Sequence, residues 1–175
     1  MTEAAVLIPI FRIEGELHIL FTQRSNNVTY HKGQISFPGG TRDKQDHSLL
    51  DTALRESWEE LGLKAENIEI LGELDDIITV TSNFIMSPFV ASIPYPYDFK
   101  LSRSEIDEIF DIPIVTLMDE ANFRQEYQTI NNRTIPVYFY EVGNRIIWGA
   151  TARIMNQLLG ILQSDNQSWQ ACSYS

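Results

Sequence analysis

Cysteine is almost absent from this sequence, basic residues are scarce, and no apolar run is long. The 175 residues include one cysteine, Cys172, which cannot close an internal disulfide and fits a reducing compartment, so a cytoplasmic location is expected. Lys and Arg number 13 against 24 Asp and Glu, a net charge of -11. A surface of that sign repels bare phosphate backbones and anionic membranes, which argues against nucleic-acid partners. The longest apolar opening, Ala4 to Ile10, falls far short of the roughly 20 residues that span a bilayer. It also lacks a basic leader and a cleavage site, so no signal peptide is expected. Internal repeats, low-complexity runs, an interdomain linker and a D-x-[DN]-x-[DN]-G calcium loop are missing too. What is present is an ordinary globular balance, 43% hydrophobic, long enough for one domain with its own core. That domain is expected over 1–165, with a polar C-terminal tail over 166–175.

Alternation of apolar and polar residues on either side of Glu14-Gly15 predicts a hairpin of Ala5–Ile13 and Glu16–Gln23. Gly33–Phe37 reads as a short strand stopped by Pro38-Gly39-Gly40, and Ser48 to Leu61 has helical spacing. Ile68–Thr81 and Phe84–Ile93 read as strands, the second interrupted by Pro88, and Ser104 to Phe110 as a short acidic helix. Arg133–Glu141 and Arg145–Trp148 form a predicted hairpin around Gly143-Asn144. Ala150 to Gln163 is the last predicted helix, with Ile154, Leu158 and Ile161 on one side. Strands and helices mixed in this order indicate an α/β domain with a mixed β-sheet.

The negative charge is concentrated. Between Thr41 and Asp76 there are 11 acids and four bases. At about 100° per residue, Leu50, Ala53, Leu54, Ser57 and Leu61 share an apolar arc, and Glu56, Glu59 and Glu60 share the neighbouring one. Ser48 with Asp51 makes a capping signal before this helix, and Gly62 suits its left-handed stop. Three carboxylates at i, i+3 and i+4 destabilise a helix unless something positive binds them. Spacing alone leaves open a solvated acidic face and a hard-cation site, since Mg²⁺ prefers carboxylate oxygens. Gly39-Gly40, which permits close backbone approach, and Arg55, which can fork onto a carboxylate, favour the cation site.

Gly40…Asp46…Arg55-Glu56-Ser57-Trp58-Glu59-Glu60-Leu61-Gly62-Leu63 resembles the Nudix box, G-x5-E-x7-R-E-U-x-E-E-x-G-U with U aliphatic. The tail is intact. Asp46 replaces the first glutamate, eight residues rather than seven separate it from Arg55, and Ser57 replaces the aliphatic residue. The resemblance implies a Nudix-type α/β/α sandwich that hydrolyses a diphosphate linked to another moiety with Mg²⁺ or Mn²⁺. It implies Glu56, Glu59, Glu60 and the Gly40 backbone as metal ligands. Glu59, Arg55 and Glu56 become the catalytic candidates, with Glu59 favoured as base over the loop acids Glu105 and Glu120.

A second stretch, Leu20-Phe21-Thr22-Gln23-Arg24-Ser25…Gly33…Phe37-Pro38-Gly39-Gly40, is similar to the pattern of the coenzyme A pyrophosphatase branch. Phe21 replaces a leucine, and Thr29 stands where that pattern has its second arginine. The resemblance implies a small nucleotide diphosphate of coenzyme A type as partner, contacted by Arg24, Ser25, Gly33 and Gly39; Lys32 and Arg42, as cations near the glycines, are further candidate contacts for a polyanionic ligand. Lys44 is a further loop cation. His31 is a candidate contact or proton carrier, with a backbone-bonded loop histidine as the alternative. Asp75-Asp76 reads either as an extension of the metal site or as turn chemistry. Phe84, Phe89, Tyr95 and Tyr97 read as adenine-stacking residues or as core and rim. The expected activity is cleavage of coenzyme A or its derivatives to 3′,5′-ADP and 4′-phosphopantetheine or its acyl form. Its rivals are a Nudix hydrolase of ADP-ribose or NADH and a non-catalytic nucleotide-binding module.

Overall fold

The computed structural model describes residues 1–26, 33–79, 83–130 and 132–172, with backbone alone over 165–172. β1 (Thr2–Ile13) and β2 (Glu16–Arg24) are joined as predicted by Glu14 and Gly15. Both turn residues have positive φ, 49° and 90°, which matches the twist of a two-residue hairpin. β1 is buried on both faces. Val6, Ile8 and Ile10 enter one core, while Ala5, Leu7 and Phe11 enter the other, the pattern of a central strand covered on two sides.

Along one edge β1 runs parallel to β7 (Phe84–Ser92), from Thr2 opposite Phe84 to Ile10 opposite Ser92. Pro88 does not interrupt β7. Its carbonyl accepts from Leu74 N at 2.9 Å, so its donor-less nitrogen faces the same side, where the partner strand is itself broken. That break divides the predicted strand 68–81 into β5 (Glu69–Glu73) and β6 (Ile77–Thr79). The other edge of β1 is shared: β4 (Gly39–Thr41) pairs with Ala4–Val6, and β2 pairs with Ile10–Ile13. β2 also pairs with β3 (Ile35–Ser36) and β8 (Ile106–Pro113). The expected helix over 104–110 is therefore a strand. Its β-branched residues Ile106, Ile109 and Ile112 suit the pairing with His18–Arg24, and this outweighs the helical spacing of its acids.

The described residues thus form an eight-stranded mixed sheet and a three-stranded one. α1 (Leu49–Leu61) packs Ala53 and Leu61 on the Leu7–Phe89 face of the large sheet. α3 (Gly149–Cys172) packs Ile154, Met155, Leu158 and Leu159 on the Ile8–Phe21 face. The result is the α/β/α sandwich that the resemblance implies, around the mixed sheet expected from the order of elements. Ile161, expected beside Ile154 and Leu158, is 46% exposed, and the helical backbone continues to Cys172, past the expected tail boundary. The small sheet comprises β9 (Phe123–Ile130), β10 (Arg133–Val142) and β11 (Arg145–Trp148), with α2 (Ile114–Leu117) beside it. β9 escapes sequence reading because its residues are mostly exposed on both faces and carry no alternation. Among the described residues, no helix is long and apolar enough to cross a membrane.

Candidate active site

The acidic helix begins and ends on its predicted signals. Ser48 Oγ accepts from Asp51 N at 3.1 Å, and Asp51 Oδ2 accepts from Ser48 N at 3.0 Å, a reciprocal capping box. Gly62, at φ 64°, donates its N–H to Trp58 O at 2.8 Å and closes the helix in the left-handed region. Ser57, the departure from the aliphatic position, is buried and returns its hydroxyl to Ala53 O at 2.7 Å.

The three glutamates leave this helix into different surroundings. Glu60 is 2% exposed, and its Oε2 accepts from Gly39 N at 3.1 Å. Arg24 Nη1 stands 3.8 Å from its other oxygen. Burial pushes the Glu60 carboxyl up to about 8; the Gly39 N–H and Arg24 oppose the rise, while Glu56 and Glu105 add to it. Burial also raises Glu56, held back by its hydrogen bond from Arg55, with Glu59 and Glu105 pushing upward. Glu59 is half-exposed, with Arg55 Nη1 at 3.1 Å.

Arg55 organises this side of the site. Its Nε and Nη2 fork onto Asp46, both at 3.0 Å, and Nη2 also reaches Thr41 O at 3.0 Å. Its Nη1 donates to Glu56 at 2.9 Å as well as to Glu59. Asp46 accepts further bonds from Asp43 N at 2.8 Å and Thr52 Oγ1 at 2.9 Å. The Arg55 fork, with these donors, holds the Asp46 carboxyl well below the usual carboxylate range. The shortened acid at 46 is therefore a brace for Arg55, with both oxygens occupied. Sequence spacing gave no sign of the Thr52 contact, because it depends on how the 42–48 loop folds back.

The glycines are required by close approach. A Cβ at Gly39 would lie 2.3 Å from Ala5 O and 2.7 Å from Val6 Cα, and one at Gly40 would lie 2.5 Å from Glu56 Oε1. Gly39 and Gly40 sit beside Val6 and Ala5 on β4, which brings this backbone against the helix. Arg24 is anchored at the end of β2 by bonds to Gln34 O and from Gly33 N at 2.9 and 3.1 Å. Ser25 is buried, and its N–H donates to Glu105 O at 2.7 Å. Arg24, Ser25, Gly33, Gly39, Glu105 and Glu60 are thus linked in one place. Arg42 instead binds Glu3 at 2.9 Å and the carbonyls of Asp46 and His47. Lys32, Thr29 and His31 lie outside the described residues.

Other candidates have structural employment. Tyr97 Oη donates to Gly62 O and accepts from Lys64 N, both at 3.1 Å, behind the end of α1. Tyr95 stacks on Phe11, and Phe89 is core. Asp76 accepts from Ser87 Oγ. Glu120 lies on a 3-10 turn that packs on α2 and β10.

Among the described residues, no three acidic or histidine side chains stand in metal-holding geometry. Each glutamate is instead engaged by an arginine or an amide. The donor set still fits a hard divalent ion: it is oxygen throughout, and the bare Cα of Gly40 lets the Glu56 carboxylate lie directly against the glycine backbone.

A model of the NUDIX domain matches residues 1–131. The uncharacterized Nudix hydrolase NudL of Pectobacterium atrosepticum is 36% identical over 160 residues, covering 89% of this chain and 80% of that protein. A MutT/nudix family protein from Enterococcus faecalis shares the fold with a TM-score of 0.63 over 93% of this chain and 62% of that one, at 15% identity. The NUDIX domain of Shewanella oneidensis NrtR, solved with ADP ribose, gives 0.54 over 67% of this chain and 76% of that one, at 18% identity. The braced glutamates, the glycine strand and these matches agree, and the chain belongs to the Nudix hydrolase family.

Proposed function

We propose that the protein hydrolyses the diphosphate linkage of coenzyme A or its derivatives, giving 3′,5′-ADP and 4′-phosphopantetheine or its acyl form, with Mg²⁺ or Mn²⁺. The observation that carries this reading is the meeting of two motifs. Arg24, Ser25 and Gly33, from the stretch similar to the coenzyme A branch, adjoin Gly39 and the buried Glu60 of the acidic helix. Glu56, Glu59, Glu60 and the Gly40 carbonyl would hold the divalent ion. When bound, such ions neutralise diphosphate charge and make water a better nucleophile near neutral pH.

The chain's own residues divide the remaining work. Glu59, the most exposed of the three glutamates, accepts the proton of the attacking water. Arg55, fixed by Asp46 and the Thr41 carbonyl, orients Glu56 and Glu59. Arg24, Ser25, Gly33 and Gly39 face the diphosphate, while the charge of Arg42 is taken up by Glu3 and the carbonyls of Asp46 and His47. The surface elsewhere keeps its negative sign and disfavours long nucleic acids.

Incubation with coenzyme A and Mg²⁺ or Mn²⁺, with products resolved by liquid chromatography, tests the reading. Appearance of 3′,5′-ADP and 4′-phosphopantetheine is expected. Turnover of ADP-ribose or NADH without turnover of coenzyme A would replace the substrate and keep the chemistry, an outcome that Thr29 in place of a second arginine favours. Ligand binding without turnover of any diphosphate would leave a nucleotide-binding module.

A further inference from the structure

The two arginines that neutralise the glutamates are held in opposite ways. Arg55 fills its donors with Asp46, Thr41 O, Glu56 and Glu59, all within 3.1 Å. Among the described residues, Arg24 is held by hydrogen bonds through its backbone, to Gln34 and Gly33. Its guanidinium stands 3.8 Å from Glu60, too far for a hydrogen bond, and its buried Nε has no hydrogen-bond partner among the described residues. A buried N–H without an acceptor is uncommon and marks a place where another group belongs. A register shift between Gln23 and Arg24 interrupts the pairing of β2 with β8, the kind of irregularity that re-aims a side chain. The Arg24 side chain is 26% exposed, so its guanidinium borders solvent on one side and the buried carboxylate on the other.

We infer that Arg24 is a displaceable counter-ion, which neutralises Glu60 in the metal-free protein, yields that carboxylate to a divalent cation, and turns its guanidinium onto the anionic oxygens that arrive with the cation. This deepens the metal-dependent diphosphate reading above and rests on it. The physics has two parts. A divalent ion on Glu60 places like charge beside the guanidinium, whose attraction to the carboxylate is then cancelled. A phosphate oxygen offers the forked, charge-assisted acceptor that Nε and the Nη atoms lack at Glu60. The cation and the anion then bind cooperatively, each raising the affinity of the other by the same factor.

The sign of one measurement separates this role from the alternatives. Mg²⁺ affinity is read at pH 9, without substrate, from the Mg²⁺-dependent rise in melting temperature. Arg24→Gln removes the competing charge and is expected to tighten Mg²⁺ about threefold or more. The same variant is expected to raise the KM for coenzyme A about tenfold. Arg24→Lys keeps the charge and loses the fork, so Mg²⁺ affinity should stay within about twofold while KM rises. Unchanged Mg²⁺ affinity in Arg24→Gln would make Arg24 a substrate contact alone, and weaker affinity would make it a brace for Glu60; either overturns the inference. If Arg24→Gln does not fold, Arg24→Met takes its place in the same measurement. Failure of the wild type to cleave coenzyme A would defeat the substrate assignment only, because the Mg²⁺ measurement needs no turnover.

Discussion

The two ends of β1 are built on opposite terms. Beside Ala4–Val6, glycine backbone packs against a helix, and the Glu56, Glu59 and Glu60 carboxylates each accept from a named donor. Beside Ile10–Arg12 lies a cavity of 690 Å³, lined by apolar side chains such as Leu17, Leu71, Leu74, Tyr95, Leu158 and Leu162. Volume alone would place a ligand in the second. The proposed reaction belongs to the first, where burial shifts the Glu60 and Glu56 carboxyls upward while the Arg55 fork draws Asp46 down. Carboxyl groups whose environments push them apart mark a working site better than concavity does.

The comparison breaks if the acidic end proves dispensable. The largest effect is expected there: Glu59→Gln and Glu60→Gln should each lower turnover of coenzyme A by about 10²-fold or more, with melting temperature little changed. Kinetics at saturating Mg²⁺ check this. Gly39→Ala comes next. Its Cβ would meet the backbone of Ala5 and Val6, which cannot move without disturbing the central strand. A loss of roughly 3 kcal/mol or more in urea unfolding is expected, in line with backbone strain and overpacking acting together. A Gly39→Ala protein of unchanged stability would mean that β4 is free to shift, and that the close fit at this end is not required.

What the sequence made legible divides along the same line. The acidic helix was readable because its signals are local: Ser48 with Asp51 at one end, Gly62 at the other, and glutamates at helical spacing between. The hairpin at Glu14-Gly15 was readable for the same reason, whereas β1, read as alternating apolar and polar residues, is buried on both faces because the sheet is covered on two sides. The fork between Arg55 and Asp46 spans nine positions and a loop, so the shortened acid read as a departure from the motif rather than as a brace. The meeting of Arg24 with Glu60 depends on where β2 and α1 are placed by the sheet, which no local pattern carries. The acids within 104–110 imitate a helix, yet pairing with β2 decides the segment in favour of a strand. Pro88 is tolerated only because the neighbouring strand breaks opposite it.

Asp46 supplies a mid-sized effect with a defined pH window. Its folded carboxyl lies below the ordinary 3.8, so its contribution to stability is complete above pH 3.8 and is lost as pH falls through the folded value. Asp46→Asn should cost about 2 kcal/mol at pH 7, because charge-assisted bonds to Arg55 are weakened. The gap between wild type and variant should narrow below pH 3.8. Denaturant unfolding at pH 7 and pH 3 measures it. An equal gap at both values would mean that Asp46 braces Arg55 by shape rather than by charge.

The smallest effect is expected at the opposite end of β1, and it sharpens the comparison most. Leu71 is 57% exposed at the rim of the apolar cavity, on a strand exposed throughout its length. Leu71→Ser removes apolar surface that water already reaches, so stability should change by no more than about 0.5 kcal/mol. No charge, donor or acceptor near the glutamates is altered. The kcat/KM for coenzyme A should therefore stay within about twofold of wild type. A tenfold loss, about 1.4 kcal/mol of transition-state stabilisation, would show that the two ends of β1 are coupled. The apolar recess would then belong to the substrate path, with its acyl or pantetheine arm as the natural occupant. With kcat/KM unchanged, recognition of the diphosphate is confined to the end where Gly39, Arg24 and the three glutamates meet.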